Sequence, residues 1–401
     1  MGSPAGLLSL ARRVRPFLAR RASVRSRALA TPWLVLLASV GCQQDSGMRA
    51  GRPPAPPETG GEALYVTVGI ADVALRLDPG SGRVIARLPL DPRPGESDEP
   101  HGIAIDPAGT HWYATVAHGD PSVWKFELPE DRLVGRVRLG AAGAARIGIA
   151  AGGTHAFVAD YDRARPGSDG EVMAVSLRDL QVVARRRVCA GPHQAESAAF
   201  SGRVAVACSL GDEIVLLDGP ALQEMGRFPV DPAPGPAGAP RLKPLNLAWA
   251  PDGEVLYVSL HLADRIRAFA PDGRILGEAA TGRAPAQIAI SRDGRTLVAA
   301  NRGDGTLSVM DVAVGGAAEA PASRPLLAER LRVPLGAVHP HGVAIDASGS
   351  NAWVTAEGTP ARPGAVVAVD LRDGRIVWRT PVAGLPLGIA WVPEADRRGA
   401  P

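Results

Sequence analysis

Short apolar runs alternate with polar residues over most of the chain, and turn residues separate these runs at close intervals. One such unit begins with Pro100-His-Gly-Ile-Ala-Ile105 and closes at the turn before Gly109. A second run, Trp112-Tyr-Ala-Thr-Val116, follows directly. Runs of about four to eight residues with period-two alternation, bounded by Gly, Pro and Asp, predict half-buried β-strands rather than helices.

This unit recurs along the chain. Pro340-His-Gly-Val-Ala-Ile345 is a close copy, and looser copies begin at Pro244 and Pro285. Each copy is followed by a β-rich run, by an alternating run such as Val366-Val-Ala-Val-Asp370, and by a fourth run such as Arg375-Ile-Val-Trp-Arg379. Four short antiparallel strands that repeat about every 40 to 50 residues are typical of β-propeller blades.

The number of blades follows from the first strands, which start near residues 100, 144, 192, 244, 285, 340 and 386. Residues 62–90 supply only three strands, and Pro386-Leu-Gly-Ile-Ala-Trp-Val392 repeats the first-strand pattern. We therefore predict an all-β fold, a seven-bladed β-propeller of four-stranded antiparallel blades over residues 61–393. The C-terminal strand should join the N-terminal blade and close the ring, which removes free sheet edges.

The first 60 residues differ in composition from the rest. Residues 1–41 hold seven arginines and no acidic residue, and an apolar stretch from Ala28 to Gly41 precedes Cys42. This stretch is shorter than the roughly 20 residues of a membrane-spanning helix, which favours a secretory leader. Small residues before Cys42 resemble a bacterial lipoprotein cleavage site. We predict a lipoprotein-type signal peptide over residues 1–41, with simple cleaved secretion as the alternative, and a flexible Pro-rich tether over residues 42–60.

On this prediction the protein is exported and anchored in the cell envelope, and it contacts the membrane through a lipidated Cys42. The net charge of +3 belongs to the leader, because subtracting its seven arginines leaves −4 for residues 42–401. No basic block interleaved with aromatic residues follows, so nucleic acid is not an expected partner. We expect a monomer, with residues 394–401 as a short tail.

Cys189 and Cys208 are the two cysteines of the predicted propeller. Disulfides persist in exported proteins, so a bond between them is one alternative. However, Cys189 ends the outermost strand of the third blade, and Cys208 ends the second strand of the fourth. A disulfide needs Cα atoms about 4.4–6.8 Å apart, and we expect outer and inner positions to lie further apart than this. The prediction is two free thiols.

Histidines are the most informative polar residues, because familiar catalytic motifs such as His-Glu-x-x-His are absent. His101, His193 and His341 stand at the starts of first strands, and His118 and His261 follow second strands. First strands begin on the rim where second strands end, so all five should lie on one face of the ring. Imidazole is a common ligand of copper, zinc and iron, which makes a multi-histidine metal site one hypothesis. Hydrogen bonds that hold the rim together, or contacts to an organic or peptide ligand, are the others.

Further polar residues are expected on the same rim, where they would line a funnel for a ligand. They are Glu196, Asn246, Gln287, Asn301, Arg302 and Glu357.

The pattern Pro-His-Gly-Ile-Ala-Ile-Asp-Pro-x-Gly, followed by Tyr-Val-Thr or Tyr-Val-Ser and an Asp-ending strand, resembles the YVTN-type repeat family, including the YncE-like exported propellers. Tyr65-Val-Thr67 and Val258-Ser259 carry the match, which covers about residues 60–393. The resemblance implies a seven-bladed propeller. Related propellers serve as surface proteins, binding scaffolds, lactonases and metal-bearing redox modules, so the fold does not choose among these functions.

Three hypotheses about function follow. The first is a lipid-anchored binding module or scaffold for a protein or small ligand at the channel rim, without a cofactor and without catalysis. The second is a redox or hydrolytic enzyme whose copper, zinc or iron is held by the five histidines. The third is lactonase-like hydrolysis, which needs a general base and carbonyl-polarising groups on the rim; Glu196, Glu357 and the arginines do not form a recognisable set of such groups.

Overall fold

The computed structural model describes residues 61–161, 168–199, 201–231, 240–313 and 326–394. All of them belong to the unit Pro56–Pro401. The predicted leader, Cys42 and tether, and nearly all of the predicted tail, lie outside the described residues. Within the described part of the chain there is no helix that is long and apolar enough to cross a membrane.

Seven four-stranded antiparallel sheets form the blades of a propeller, which confirms the predicted fold class. In chain order the strands are β1 (Ala63–Val68), β2 (Val73–Leu77), β3 (Val84–Pro89), β4 (Pro100–Ile105), β5 (His111–Val116), β6 (Ser122–Glu127), β7 (Arg132–Arg138), β8 (Ala144–Ile149), β9 (His155–Asp160), β10 (Asp169–Ser176), β11 (Gln181–Ala190), β12 (Pro192–Ser197), β13 (Arg203–Cys208), β14 (Glu213–Asp218), β15 (Gln223–Pro229), β16 (Pro244–Trp249), β17 (Leu256–Leu260), β18 (Arg265–Phe269), β19 (Ile275–Ala280), β20 (Pro285–Ile290), β21 (Thr296–Asn301), β22 (Thr306–Val312), β23 (Leu327–Pro334), β24 (Pro340–Ile345), β25 (Asn351–Ala356), β26 (Gly364–Asp370), β27 (Ile376–Val382) and β28 (Pro386–Val392).

Blade 1 closes the ring as predicted. Its strand order is β28-β1-β2-β3, and Leu64 and Val66 pair with Trp391 and Ile389 of the C-terminal strand. Blades 2 to 7 each take four consecutive strands, beginning with β4 to β7. The first strands β28, β4, β8, β12, β16, β20 and β24 contact one another in that order around the axis.

A threonine in the second strand explains the repeated Tyr-Val-Thr motif. Thr67 Oγ1 accepts a hydrogen bond from the Gly388 N–H (2.8 Å) in its own blade and donates one to the His101 carbonyl (2.7 Å) in the next blade. Thr115 and Thr355 make the same two kinds of bond in blades 2 and 7. All three threonines are fully buried. The motif therefore ties each of these blades to its neighbour at the axis.

The third residue of the first strand is glycine in these same blades. A Cβ atom on Gly342 or Gly388 would lie 2.3 or 2.4 Å from the carbonyl oxygen of the next first strand, and one on Gly102 would lie 2.8 Å away. Backbone oxygens cannot move aside, so only glycine fits. Blades 3 to 6 differ at this position, where they carry Arg146, Gln194, Asn246 and Gln287.

The hydrophobic core lies between blades. Each apolar cluster draws on two neighbours, as where Phe157 of blade 3 and Val206 of blade 4 are buried in one cluster. Side chains on both faces of the second strands are therefore buried, as in β1 and β5, which is why these strands are mostly apolar.

Cys189 and Cys208 form a disulfide, so the prediction of two free thiols is wrong. Their Cα atoms are 5.8 Å apart. We had expected outer and inner positions to be distant, but a single residue, Gly191, joins the outermost strand of blade 3 to the first strand of blade 4. Pro192 at the start of that strand pairs with Cys208, which brings Cys208 beside the end of β11. The bond therefore links blades 3 and 4.

Candidate functional site

A cavity of about 350 Å³ opens at the channel rim where the first strands begin; we call it the histidine cavity. All five histidines predicted for this rim line it, together with predicted Arg302 and Glu357. Its other polar side chains are Glu99, Tyr161 and Lys243.

The repeat explains why these side chains converge. His101, His193 and His341 are each the second residue of a first strand, and blades 3, 5, 6 and 1 carry Ala145, Leu245, Ala286 and Leu387 there. The residue before the strand has a left-handed backbone, with φ of 52° at Glu99 and 53° at Lys243. Ala284, His339 and Leu385 share this conformation, so it belongs to the fold rather than to one chemical site.

Three histidines have their tautomer set by backbone carbonyls. Nδ1 of His193, His261 and His341 lies 2.8, 3.1 and 3.3 Å from the carbonyl oxygens of Leu245, Pro285 and Leu387, respectively. A carbonyl only accepts, so Nδ1 carries the proton and Nε2 is an acceptor. Burial lowers the pKa of His341 to about 4 and also lowers the pKa of His193 and His261. These imidazoles are therefore neutral at pH 7.

His101 has a different partner. Its Nδ1 lies 3.2 Å from Oε1 of Glu99, and Oε2 of the same carboxylate lies 3.5 Å from Nε2 of His118. Burial acts to raise the pKa of Glu99, but the hydrogen bond with His101 holds it below its usual value. Glu99 is thus a carboxylate that accepts a hydrogen bond from the Nδ1–H of His101. Nε2 of His101 is buried and has no hydrogen-bond partner among the described residues.

Arg302 and Glu357 form an ion pair in the lining of the same cavity. Two hydrogen bonds of 3.0 and 2.6 Å join the guanidinium to the carboxylate. The hydrogen bond with Glu357 raises the pKa of Arg302. Burial acts to raise the pKa of Glu357, but the hydrogen bond with Arg302 outweighs it and lowers this pKa. Both groups are therefore charged at pH 7.

Tyr161 packs edge-on against His193, with ring centres 4.9 Å apart.

Four predicted rim residues lie outside the histidine cavity. Glu196 and Gln287 line a separate cavity, at the end of the channel where the first strands finish. Strands rise about 3.3 Å per residue, so Glu196, three positions after His193, is about 10 Å further along the axis. Asn246 is buried within the ring, and Asn301 is buried against the hydroxyls of Thr306 and Ser308. Glu196 shares β12 with His193, but sharing a strand with a rim histidine did not place it on the rim.

Sequence reasoning did not single out Glu99, Lys243 and Tyr161 as site residues. For Glu99 and Lys243 a signal existed, because each directly precedes the proline that begins a first strand. Tyr161 follows the second strand of blade 3 and so occupies the place that His261 has in blade 5.

The metal hypothesis depends on how closely the ligand nitrogens approach one another. Only one trio of His, Cys, Asp or Glu ligand atoms in the described part of the chain lies within 4.8 Å of one another, and it consists of Cys189, Cys208 and Glu213. Its two sulfurs are bonded to each other. His101 and His341 stand edge to face with ring centres 5.3 Å apart. A copper, zinc or iron site would require side chains to move, and it stays a prediction.

Burial of neutral histidines should make the fold sensitive to mild acid. The pKa of His341 is about 4 in the folded chain and 6.5 for an ordinary imidazole, so the unfolded chain binds more protons between these values. The free energy of unfolding should therefore fall as the pH drops, by about 2 kcal/mol from pH 7 to pH 5 for this residue. Urea denaturation at the two pH values measures the loss. His341→Gln should reduce it, whereas the same loss in His341→Gln as in wild type would contradict the assignment.

Comparisons with known proteins place the chain among propellers. The profile described as "Lactonase, 7-bladed beta-propeller" matches residues 87–374. Curated protein sequences give no significant match. Among solved structures, a functionally unknown protein from Desulfotomaculum acetoxidans is 15% identical, with a TM-score of 0.66 over 82% of this chain and 99% of that one.

Two further structures show how varied the similar proteins are. Periplasmic gluconolactonase from Pseudomonas aeruginosa is 19% identical, with a TM-score of 0.62 over 83% of this chain and 99% of that one. Kuenenia stuttgartiensis hydrazine synthase is 15% identical, with a TM-score of 0.58 over 74% and 91%. At such identities the likeness shows the fold alone.

The profile match covers most of the propeller, from the third strand of blade 1 to the turn before the fourth strand of blade 7. The narrower resemblance to YVTN-type propellers and the lipoprotein leader stay predictions. The chain therefore belongs to the lactonase family of seven-bladed β-propellers.

Proposed function

We propose that the protein hydrolyses a small hydroxylated lactone in the histidine cavity. The observation that carries this proposal is the pairing of His101 with Glu99, which leaves a buried Nε2 without a partner among the described residues, in a cavity that Lys243 also lines. A carboxylate that orients one imidazole nitrogen while the other is unprotonated is a common arrangement for a general base.

His101 would act on the attacking water. Nε2 takes a proton from the water as its oxygen bonds to the lactone carbonyl carbon, and the carbonyl electrons move to the oxygen. Lys243 lines the same cavity, and its ammonium group would stabilise this oxyanion. When the ring C–O bond breaks, the protonated imidazole returns its proton to the leaving alkoxide. The product is a hydroxy acid, and Glu99 holds the imidazolium throughout.

The other histidines favour a substrate rich in hydroxyl groups. Nε2 of His193, His261 and His341 can only accept hydrogen bonds in the tautomers that the backbone carbonyls set. Hydroxyl groups on a ring would donate to these atoms. A volume of about 350 Å³ suits a molecule of monosaccharide size. The family and the gluconolactonase among the similar structures support the same substrate class.

Replacing the proposed base should abolish turnover without unfolding the protein. We expect His101→Gln to reduce kcat for D-glucono-1,5-lactone and D-galactono-1,4-lactone by about 10²- to 10⁴-fold, because a general base contributes that much. Glu99→Gln should give a smaller loss and a shifted pH profile. Hydrolysis is followed by the acid released, above the spontaneous rate.

The matched control is His155→Gln, which changes a histidine at the start of β9, outside the lining of the histidine cavity. Its turnover should equal that of wild type. If wild type hydrolyses neither lactone faster than buffer alone, the proposal is contradicted and a non-catalytic binding module is favoured. Equal turnover in His101→Gln and wild type would remove His101 from the mechanism.

A metal-dependent enzyme is the second candidate, and the histidine tautomers favour it. Metal-binding histidines commonly donate one ring N–H to a carbonyl or carboxylate and ligate through the other nitrogen, as the free Nε2 atoms would allow. Metal analysis of protein purified without a His tag distinguishes the two. This candidate is favoured if wild type contains stoichiometric copper, zinc or iron and a His101/His341 double alanine variant does not.

We also propose that the chain is exported and anchored through a lipid on Cys42. The disulfide between Cys189 and Cys208 supports export, because disulfides persist in oxidising compartments. Mass spectrometry of the mature N-terminus tests this, and an unprocessed leader would contradict it.

A further inference from the structure

A second cavity, of about 570 Å³, lies at the far end of the channel from the histidines; we call it the arginine cavity. Blades 3 to 6 supply nearly all of its lining, through residues at the third and later positions of their first strands. Its polar side chains are Arg146, Gln194, Glu196, Ser197 and Gln287, and Trp249 forms part of its apolar wall.

The third residue of each first strand is polar on one side of the channel and glycine on the other. Arg146, Gln194 and Gln287 occupy this position in blades 3, 4 and 6. Blades 7, 1 and 2 have glycine there. Asn246 occupies it in blade 5, so blades 3 to 6 carry polar side chains at this position and blades 7, 1 and 2 carry none.

These polar groups are incompletely satisfied within the protein. Gln287 is 6% exposed, and its Nε2 donates to the Val343 carbonyl (3.2 Å), which orients the amide. Its Oε1 is buried and has no hydrogen-bond partner among the described residues. Native structures rarely bury an acceptor in this state, and a bound molecule that donates a hydrogen bond would resolve it.

Arg146 is the second group, and its side chain is only partly buried, so it faces the cavity. Neither a hydrogen bond nor an ion pair joins its guanidinium to any described residue, although Glu196 is close enough to act on it electrostatically. Burial lowers the pKa of Arg146 to about 10, which leaves it positive at pH 7. A guanidinium that lines a cavity without a direct partner among the described residues can bind a carboxylate through two parallel hydrogen bonds.

We propose that the arginine cavity binds a small polyhydroxy carboxylic acid. The carboxylate would pair with Arg146, and hydroxyl groups would donate to Gln287 Oε1 and to Glu196, which already accepts a hydrogen bond from Gln194 Nε2 (2.8 Å). The neutral amides of Gln194 and Gln287 suit hydroxyl groups better than an ammonium group. None of these residues lines the histidine cavity, so the inference does not rest on the proposed function.

Isothermal titration of the full chain with D-gluconate tests the proposal. Sorbitol, which lacks the carboxylate, and acetate, which lacks the hydroxyl groups, should each bind at least about tenfold more weakly. Arg146→Met and Gln287→Met should each weaken gluconate binding by about tenfold or more, because each removes one recognition group. Arg292→Met, at an exposed turn, is the matched control and should bind as wild type does.

The outcomes separate this site from the histidine cavity. Gluconate binding that is lost in His101→Gln but kept in Arg146→Met would place the ligand at the histidines and overturn the proposal. Undetectable binding to wild type, or equal binding by wild type and Arg146→Met, would also overturn it. Lactone turnover is measured separately. If the protein binds gluconate at Arg146 but hydrolyses no lactone, only the proposed function is overturned. If Arg146→Met lacks the wild-type melting transition, Gln287→Met carries the test.

Discussion

A chain that ends at Leu385 should not fold cooperatively. It lacks β28, so β1, whose six residues are all buried, would become an open edge of blade 1. The same deletion removes the partner of Thr67 at Gly388 and the contacts of β28 with β4 and β24. Because the first strands form one ring, the loss affects both neighbouring blades as well. Circular dichroism during heating should show no sharp transition.

The control for this truncation removes residues from the other end. A chain that starts at Gly60 lacks the predicted leader and tether but keeps every described strand. It should melt within a few degrees of the full chain. If the chain ending at Leu385 instead melts at the wild-type temperature, ring closure by β28 does not stabilise the fold.

Breaking the disulfide should cost about 3 kcal/mol of unfolding free energy, the value expected for a closed loop of this size. The bond spans a sequence separation of 19 and joins blades 3 and 4 where both cysteines are buried. We expect the Cys189→Ala/Cys208→Ala double variant to unfold at lower urea concentration than wild type. Alanine avoids placing an unpartnered hydroxyl in the core.

Reductant provides the internal control. Dithiothreitol present during unfolding should lower the wild-type midpoint toward that of the double variant and leave the variant unchanged. Denatured wild type without reductant should take up no alkylating agent at these two cysteines. Two alkylated thiols under these conditions would show that the bond is absent from the protein.

Most of the fold was predictable because its information is local and repeated. Alternating apolar positions and turn glycines recur in each unit, so the starts of all seven first strands were placed within the strands that the structure shows. Closure by Pro386–Val392 followed from a missing strand in blade 1. Even the convergence of His101 and His341 on one cavity followed from their equivalent places in the repeat.

Position along the channel axis was harder to predict. Glu196 and Gln287 belong to the same first strands as the rim residues, but each additional residue moves a side chain about 3.3 Å along the axis. They therefore line the arginine cavity instead of the histidine cavity. Arg146 went unnoticed for a similar reason, because only the tertiary structure shows that its guanidinium lines the cavity without a direct partner among the described residues.

The sequence by itself determined the strands, the number of blades and the face on which the histidines gather, because these depend on periodicity within each repeat. Only the tertiary structure decided which groups from different repeats meet. The bond between Cys189 and Cys208, the pairing of His101 with Glu99 and the isolation of Arg146 all depend on distances and orientations of a few ångströms. Hydrogen bonds, disulfides and ion pairs form or fail over such distances, and a repeat pattern does not specify them.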